Sequence, residues 1–425
     1  MKTFLPSFEN LEERQLKGLQ WTVNHSYNGS AAYSEKFDAL NLKPNDIQSL
    51  EDLRLLPFSS AEDLAEGYPF PLLSVPIQDV VRIHTSSGTT GKRKVLCYTQ
   101  KDIEDWTHFF ARCFEMAGLT AEDRVQIAVG YGPWTAGIGF QTACEAFGAM
   151  SLPVGPGNIE TQIEFLLDFE STVFCCTASM GLLLGEEVEH RGIRDQIKLK
   201  KMIYGSERSS DAMREQIKLL LGLEEMYDIP GMTELYGPGT GIECSAHQGM
   251  HYWSDYYLLE IINPDTLEAA APGEVGEMVV TTLQKEAVPL IRYRTHDLTS
   301  LILEECPCGN LFPRHDRLLG RTDDMFIFRG VNIYPGQLDN LLSSLPGVGS
   351  EYQVFLNQEE GMDKCILRIE RSQDTKSSAD SQTAETVKTL IKHKIFVTPE
   401  VEIVDYGSLP RSERKTKRVS DVREI

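Results

Sequence analysis

Between residues 80 and 230, short apolar runs alternate with segments of helical hydrophobic period, and this alternation narrows the possible folds more than any other feature. Strand candidates are Val80–Ile83, Val125–Val129, Thr172–Thr177, Met202–Tyr204 and Glu225–Ile229. Between the first two, Asp102–Met116 sets Trp106, Phe109, Phe110, Cys113 and Phe114 at i, i+3, i+4, i+7 and i+8, a single helical face and a candidate core. Strands separated by helices require crossover connections, which predicts an α/β fold with a mostly parallel sheet covered by helices. Ligands on such sheets bind outside the carboxyl ends of the strands. The loops at 84–94, 130–138, 205–210 and 230–241 would gather there.

The flanking segments read differently. Residues 1–80 suggest a helical, Pro-punctuated lead-in with short acidic helices such as Ser60–Glu66. From 250 to 303, Tyr256–Ile262, Glu277–Thr282 and Leu298–Leu303 follow one another without helices, which predicts a small antiparallel sheet or barrel. Beyond Gly320 the pattern restarts. A strand at Met325–Phe328 precedes a helix opening near Pro335, proline being favoured in a first helical turn. Strands near Tyr352–Phe355, Cys365–Glu370 and Val401–Val404 and a helix near Thr383–Phe396 complete a separate α+β domain over 322–425, hinged around Arg321–Asp324. The polar run 371–383 is expected to be a mobile loop.

A chain of 425 residues exceeds one compact core. No uninterrupted apolar run of about 18 residues is present, which argues against a membrane-spanning helix. The first residues lack the apolar stretch of a secretion signal. Nine cysteines, mostly scattered through apolar segments (Cys97, Cys113, Cys144, Cys175, Cys176 and Cys365), suggest a reducing, cytoplasmic setting. A net charge of −22 opposes general nucleic-acid binding, though not nucleotides held by local loops and metal ions.

Residues 85–94, Thr-Ser-Ser-Gly-Thr-Thr-Gly-Lys-Arg-Lys, carry the chemistry of a phosphate loop. Glycine allows close backbone approach, hydroxyls donate hydrogen bonds and lysine supplies countercharge. Only Thr89 and Thr90 separate Gly88 from Gly91, and Arg93 follows Lys92, so the Walker spacing is not met. Taken alone, the stretch reads equally well as a surface turn.

Its companions decide between the two. Ser86 to Lys92, Gly205-Ser-Glu207, Gly231-Met-Thr-Glu234, Tyr293-Arg-Thr-His-Asp297, Gly320-Arg-Thr-Asp-Asp-Met325, Arg329 to Pro335 and Pro410-Arg-Ser-Glu-Arg-Lys415 occur in the order seen in adenylate-forming enzymes. Over its whole length the chain resembles phenylacetate–coenzyme A ligases. Gly237-Pro-Gly239 with Glu243-Cys244, Cys306-Pro-Cys308 and Arg-Gly-Val-Asn-Ile-Tyr-Pro are the more specific marks.

The resemblance implies a large N-terminal adenylation domain, 1–321, with parallel-sheet subdomains and a small antiparallel sheet, and a small mobile C-terminal domain, 322–425. It implies ATP, Mg²⁺ and coenzyme A as cofactors and an aryl acid, phenylacetate or a close analogue, as substrate. Ser86, Ser87, Gly88, Thr89, Thr90, Gly91 and Lys92 would grip the β- and γ-phosphates, Glu234 would hold Mg²⁺ and Thr233 would contact the α-phosphate. Gly205, Ser206 and Glu207 would line the adenine, Asp297 would bind the ribose hydroxyls, and Arg321 would reach the ribose or phosphate. Lys415 would be the adenylation-step cation, with Lys417 as the alternative, and Asp323 the hinge residue. Homodimer formation is implied as well, without a nucleic-acid or membrane partner. Pro230, where the family has an aromatic residue, and Arg414, where it has glycine, are departures from the pattern.

Tyr131, Trp134, Ile138 and Phe140 make one side of an acyl pocket apolar enough for an aromatic ring, with Gly231 on the other; core packing beneath the site is the competing reading. Asp297 could instead pair locally with Arg294, and the basic run 411–418 could be a solvated tail. Cys244, His251, Cys306 and Cys308 form a candidate tetrahedral zinc set; His251 is preferred to His247 because it begins a strand. Two other functions stay open: adenylation with transfer to a carrier protein or release of an adenylylated product, and a degenerate nucleotide-binding module.

Overall fold

The computed structural model describes residues 3–6, 10–70, 72–85, 94–207, 209, 211–322, 326–328, 331–343, 345–359, 362–409 and 418–423. The chain divides into two compact units, Met1–Ser206 with Leu220–Arg317, and Glu207–Leu219 with Leu318–Ile425. The division near residue 317 lies a few residues before the boundary read from sequence. The short piece 207–219 had no sequence signal for belonging to the second unit.

The first unit opens with α1 (Leu11–Gly29) and α2 (Ala31–Ala39). Ser60–Glu66, expected as a short helix, is a series of turns. A hairpin of β1 (Arg82–Thr85) and β2 (Val95–Tyr98) follows. Next comes α3 (Gln100–Met116), which starts where it does because Thr99 and Asp102 cap it reciprocally. Its predicted apolar face is buried: Trp106, Phe109, Phe110, Cys113 and Phe114 are each at most 1% exposed. The Asp102 carboxylate also accepts the backbone N–H groups of Glu286 (2.7 Å) and Ala287 (3.0 Å), tying this helix start to a distant loop.

β3 (Arg124–Ile127), β4 (Met150–Leu152), β5 (Val173–Cys176), β6 (Lys201–Tyr204) and β7 (Glu225–Asp228) form one parallel sheet in the order β4-β3-β5-β6-β7. The helices α4 (Ala136–Phe147), α5 (Ile159–Asp168), α6 (Ala178–Arg191) and α7 (Asp211–Leu221) lie in the connections. The strand order reverses between β3 and β5, and the crevice outside such a switch point is where α/β sheets bind ligands.

The predicted antiparallel region is two structures. β12 (Tyr257–Ile262), β13 (Gly276–Thr282) and β14 (Tyr293–Thr299) pair in sequence order. β10 (Gly241–Glu243), β11 (Met250–Tyr252), β16 (Arg314–His315) and β15 (Leu301–Ile302) pair in that spatial order. A buried ion pair sits beside them: Arg112 binds Asp255 through two hydrogen bonds of 2.8 and 2.9 Å and lies against Trp253, Tyr256 and Phe312. Both side chains are at most 3% exposed. Asp255→Ala would strand the guanidinium, and a loss of about 3–5 kcal/mol is expected. Urea unfolding of the full-length protein reads this directly, and an unchanged midpoint would refute it.

The second unit is built on a sheet of Glu400–Val404, Met362–Arg371, Val348–Glu359 and Val419–Asp421, in that order. Helices Pro335–Ser343 and Asp380–Ile395 cover its core, which contains Leu338, Leu342, Val354, Leu367, Ile369, Val387 and Ile391. The segment 371–383, expected as a loop, is largely structured. Arg371 ends a strand and reaches Asp380 through two 2.7 Å hydrogen bonds, and Asp380 begins the helix. Alternating charge hid this pairing from a composition-based reading.

Candidate active site and cysteine–histidine cluster

Several loops converge at the carboxyl ends of the parallel strands in the first unit. Gly205 follows β6 directly. A Cβ there would stand 2.4 Å from the Ile229 carbonyl oxygen, so only glycine lets the loops after β6 and β7 lie side by side. After β7, a short hairpin of two-residue strands, β8 (Gly231–Met232) with β9 (Gly237–Pro238), encloses the Thr233–Leu235 turn. Gly231 faces the Pro238 backbone, where a Cβ would meet Cα at 2.3 Å. Gly237, at φ 142°, packs against the Trp106 ring, whose Nε1 donates to the Pro238 carbonyl (2.9 Å). The helical face of α3 thus shapes this hairpin as well as the core.

Glu234 is the electrostatic centre of the turn. Lys94 Nζ lies 2.8 Å from its Oε1, and the Tyr293 hydroxyl lies 3.4 Å from the same oxygen. The Glu234 side chain is 14% exposed and Lys94 25%, so the pair is accessible to a ligand without being freely solvated. Beneath the turn, the fully buried Lys285 donates to the Glu234 carbonyl (2.8 Å). Burial pushes its ammonium down to about 8, with the carboxylates of Asp102 and Glu234 opposing that shift. Tyr98 Oη lies 2.7 Å from the Tyr236 carbonyl and 3.2 Å from that of Thr233. Lys285 and Tyr98 lie outside every sequence motif. Lys285 stands between Gln284 and Glu286, so its sequence neighbours give no sign of its burial.

Asp297 lies in β14, where Val279 faces Arg294 and Glu277 faces Leu298. Between these pairs three residues of β14 (Thr295, His296 and Asp297) oppose the single Met278 of β13, and the resulting bulge, with His296 at φ 65°, re-aims the strand at Asp297. Arg294 reaches Glu277 at 2.6 Å, so the local Asp297–Arg294 pair considered as a rival is not what the guanidinium makes.

Tyr131 and Trp134 lie in the loop after β3, beside the switch point. The backbone of this loop is tied to the β1 end by Thr85 N–H donating to the Pro133 carbonyl (2.8 Å). The Tyr131 hydroxyl is buried without a hydrogen-bond partner among the described residues. Phe140 is a correction: at 3% exposure it packs 4.8 Å from Phe110, in the aromatic core of α3 and α4. The 3.6-residue period turns it inward from the loop that carries Tyr131.

Ser86, Ser87, Gly88, Thr89, Thr90, Gly91, Lys92, Asp323 and Lys415 lie outside the described residues. Ser206 closes the first unit at φ 71°, whereas Glu207 and Arg321 belong to the second. An open depression of about 500 Å³ on the second unit, lined by Arg368, Arg371, Glu402, Asp405 and Ser408, contains none of the predicted residues.

Cys244, His251, Cys306 and Cys308 come together, with one ligand atom from each and all within 4.8 Å of one another. Cys244 Sγ lies 3.5 Å from Cys306 Sγ, and Cys308 Sγ lies 3.4 Å from His251 Nε2. His251 Nδ1 pairs with the Phe312 carbonyl (2.7 Å), which assigns the proton to Nδ1 and leaves the Nε2 lone pair facing the thiols. Ligands about 2.0–2.3 Å from a tetrahedral zinc ion stand about 3.5–3.8 Å apart, so the set fits that ion. Burial pushes the Cys244 thiol up to about 12. His247 turns elsewhere, to Glu225 (2.9 Å) and Glu243 (3.2 Å).

Residues 34–284 match the AMP-binding enzyme family and residues 330–423 match the AMP-binding enzyme C-terminal domain. The fold and the site are therefore those of an AMP-binding enzyme. The chain is 38% identical to the phenylacetate–coenzyme A ligase of Escherichia coli (strain K12), over 99% of this chain and 96% of that protein. It is 37% identical to the enzyme of the same name from Thermus thermophilus, over 99% of both. A crystal structure of 2-hydroxyisobutyryl-CoA ligase in the postadenylation state shares the fold, with a TM-score of 0.88 at 24% identity, covering 98% of this chain and 90% of that one. The chain belongs to the phenylacetate–coenzyme A ligase family of AMP-binding enzymes. It is accordingly an AMP-forming acid–thiol ligase that works through an acyl-adenylate.

Proposed function

We propose that the acid is phenylacetate or a close aryl analogue and that the residues assembled after β1, β3, β6, β7 and in β14 perform its activation. The acid carboxylate attacks the α-phosphorus of ATP, forming an acyl–phosphate anhydride bond as the bond to pyrophosphate breaks. The coenzyme A thiolate then attacks the acyl carbon and AMP leaves with the electron pair of the broken anhydride bond. The first step brings two anions together, so fixed positive charge and orientation are what the protein must supply.

The observation that carries this reading is the Lys94–Glu234 pair, held at the end of a parallel sheet where anionic ligands bind. Glu234 fits Mg²⁺ as a single accessible carboxylate, since this ion takes one or two protein carboxylates plus substrate phosphates. Magnesium, when bound there, would neutralise phosphate charge. Thr233 contacts the α-phosphate, Ser86 to Lys92 grip the departing pyrophosphate, and Lys415 supplies the cation of the adenylation step. Gly205, Ser206 and Glu207 line the adenine, Asp297 takes the ribose hydroxyls, Arg321 takes ribose or phosphate, and Asp323 is the hinge between the adenylation domain and a mobile domain over 322–425. Tyr131 and Trp134 with Gly231 face the aryl ring; the Tyr131 hydroxyl, without a partner among the described residues, supports a polar contact there.

Zinc at Cys244, His251, Cys306 and Cys308 is proposed as structural, because four protein donors leave no open position. A cytoplasmic setting is supported by the nine cysteines, none of which is paired in a disulfide. No helix among the described residues is long and apolar enough to cross a membrane. Homodimer assembly is proposed on the resemblance alone.

The test is product formation from a panel of aryl and aliphatic acids with ATP, with and without coenzyme A. ATP–pyrophosphate exchange and a coenzyme A thioester are both expected with phenylacetate or a near analogue. Exchange confined to aliphatic acids would overturn the substrate assignment.

A further inference from the structure

The turn that carries Thr233 and Glu234 is held from below by two side chains that no motif contains. Lys285 is fully buried, and its ammonium donates to the Glu234 carbonyl at 2.8 Å. It stands 4.9 Å from the centre of the Tyr236 ring and 5.2 Å from that of Tyr98. The Tyr98 hydroxyl reaches the carbonyls of Thr233 and Tyr236. The carbonyls of Glu234 and Tyr236 are therefore taken up by one lysine and one tyrosine, and the Thr233 carbonyl shares the tyrosine proton at the longer distance.

This arrangement needs a reason. A desolvated ammonium is costly unless its surroundings compensate for lost water. The two ring faces, one carbonyl and the nearby carboxylates of Asp102 and Glu234 do so here. The turn itself is strained, with Tyr236 at φ 147° although it is not glycine. Such a conformation persists only where the surroundings over-determine it. A neutral apolar side chain in place of Lys285 would satisfy packing but would not fix the Glu234 backbone. The side chain of Glu234 leaves this same backbone toward Lys94 and Tyr293, so the direction of its carboxylate depends on the lysine beneath.

We propose that Lys285 is a positioning residue for Glu234: by clamping the Glu234 carbonyl it aims the carboxylate, and so sets affinity for the divalent cation that accompanies the nucleotide. The inference rests on the reading of Glu234 as the Mg²⁺ ligand. Lys285 touches neither reacting atoms nor phosphate in this account; it acts through the turn. Groups that orient a metal ligand are worth roughly 10–100-fold in metal affinity or activity when removed.

The experiment is calorimetric titration of the full-length protein with ATP, with and without Mg²⁺, for wild type, Lys285→Met and Lys285→Gln. In the wild type Mg²⁺ is expected to strengthen ATP binding. In Lys285→Met that gain is expected to shrink by ~10-fold or more, while metal-free ATP binds nearly as before; a merely structural role would weaken both alike. Lys285→Gln keeps a donor and should retain part of the gain; if the methionine variant does not fold, the glutamine variant is read by the same criteria. A Mg²⁺ gain in the variants equal to that of wild type, or an equal loss with and without metal, would overturn the inference alone. A wild type in which Mg²⁺ adds nothing would overturn the reading of Glu234, and this inference with it.

Discussion

Lys415→Ala should lower acid-dependent ATP–pyrophosphate exchange by ~10²–10³-fold, the loss typical of removing one preorganised donor from a site of developing negative charge. Thioester formation from a preformed aryl-adenylate should be largely unchanged. The asymmetry follows from the chemistry: charge accumulates around the α-phosphorus when carboxylate and triphosphate meet, and much less when a thiolate displaces AMP. The stems of the segment carrying Lys415 are already anchored in the second unit. Leu409 N–H donates to the buried Glu370 carboxylate at 2.7 Å, and Arg418 pairs with Glu351 at 3.2 Å while lying over the Tyr352 ring. Arg418 is thereby committed to its own unit, which weakens the reading of 411–418 as a uniform basic tail. Lys417→Ala is the control. If it causes the larger loss of exchange, the cation is Lys417, and equal loss in both half-reactions for Lys415→Ala would remove the assignment to adenylation.

The second large effect is expected at the cysteine–histidine cluster. The purified full-length protein should hold close to one equivalent of zinc per chain, and Cys306→Ser should lose it together with on the order of 5 kcal/mol or more of stability, since binding at structural zinc sites contributes directly to folding. The site bridges Cys244 at the end of β10, His251 in β11, and the loop between β15 and β16, so losing the ion would release the connection between these strands. Metal analysis with thermal unfolding of wild type and variant reads both quantities. Less than about half an equivalent in the wild type would defeat the structural-zinc reading, as would a Cys306→Ser protein that unfolds at the wild-type temperature.

Much of this architecture was legible in advance because it depends on local pattern. The 3.6-residue period of Trp106 to Phe114 marked a buried face, and the five strand candidates between 80 and 230 fell within a few residues of observed strands. The Cys306–Cys308 spacing with His251 identified the cluster, and the preference for His251 over His247 agrees with where the two rings point. Polar composition misled in two places: Ser60–Glu66 forms turns, and 371–383 is ordered by an arginine–aspartate pair. Phe140 had the right chemistry for an aryl pocket and the wrong face of its helix.

The family, four of the five strands of the parallel sheet and the buried aromatic face of α3 could be read from the chain alone. These depend on residue type at short spacing, which a linear chain displays. Which groups surround Glu234 is set by long-range packing. Lys94 precedes it by 140 residues, while Lys285 and Tyr293 follow it by 51 and 59. Their meeting depends on the sheet order β4-β3-β5-β6-β7 and the packing of β13–β14 near its end, and the burial that gives Lys285 its altered chemistry exists only once those layers have closed.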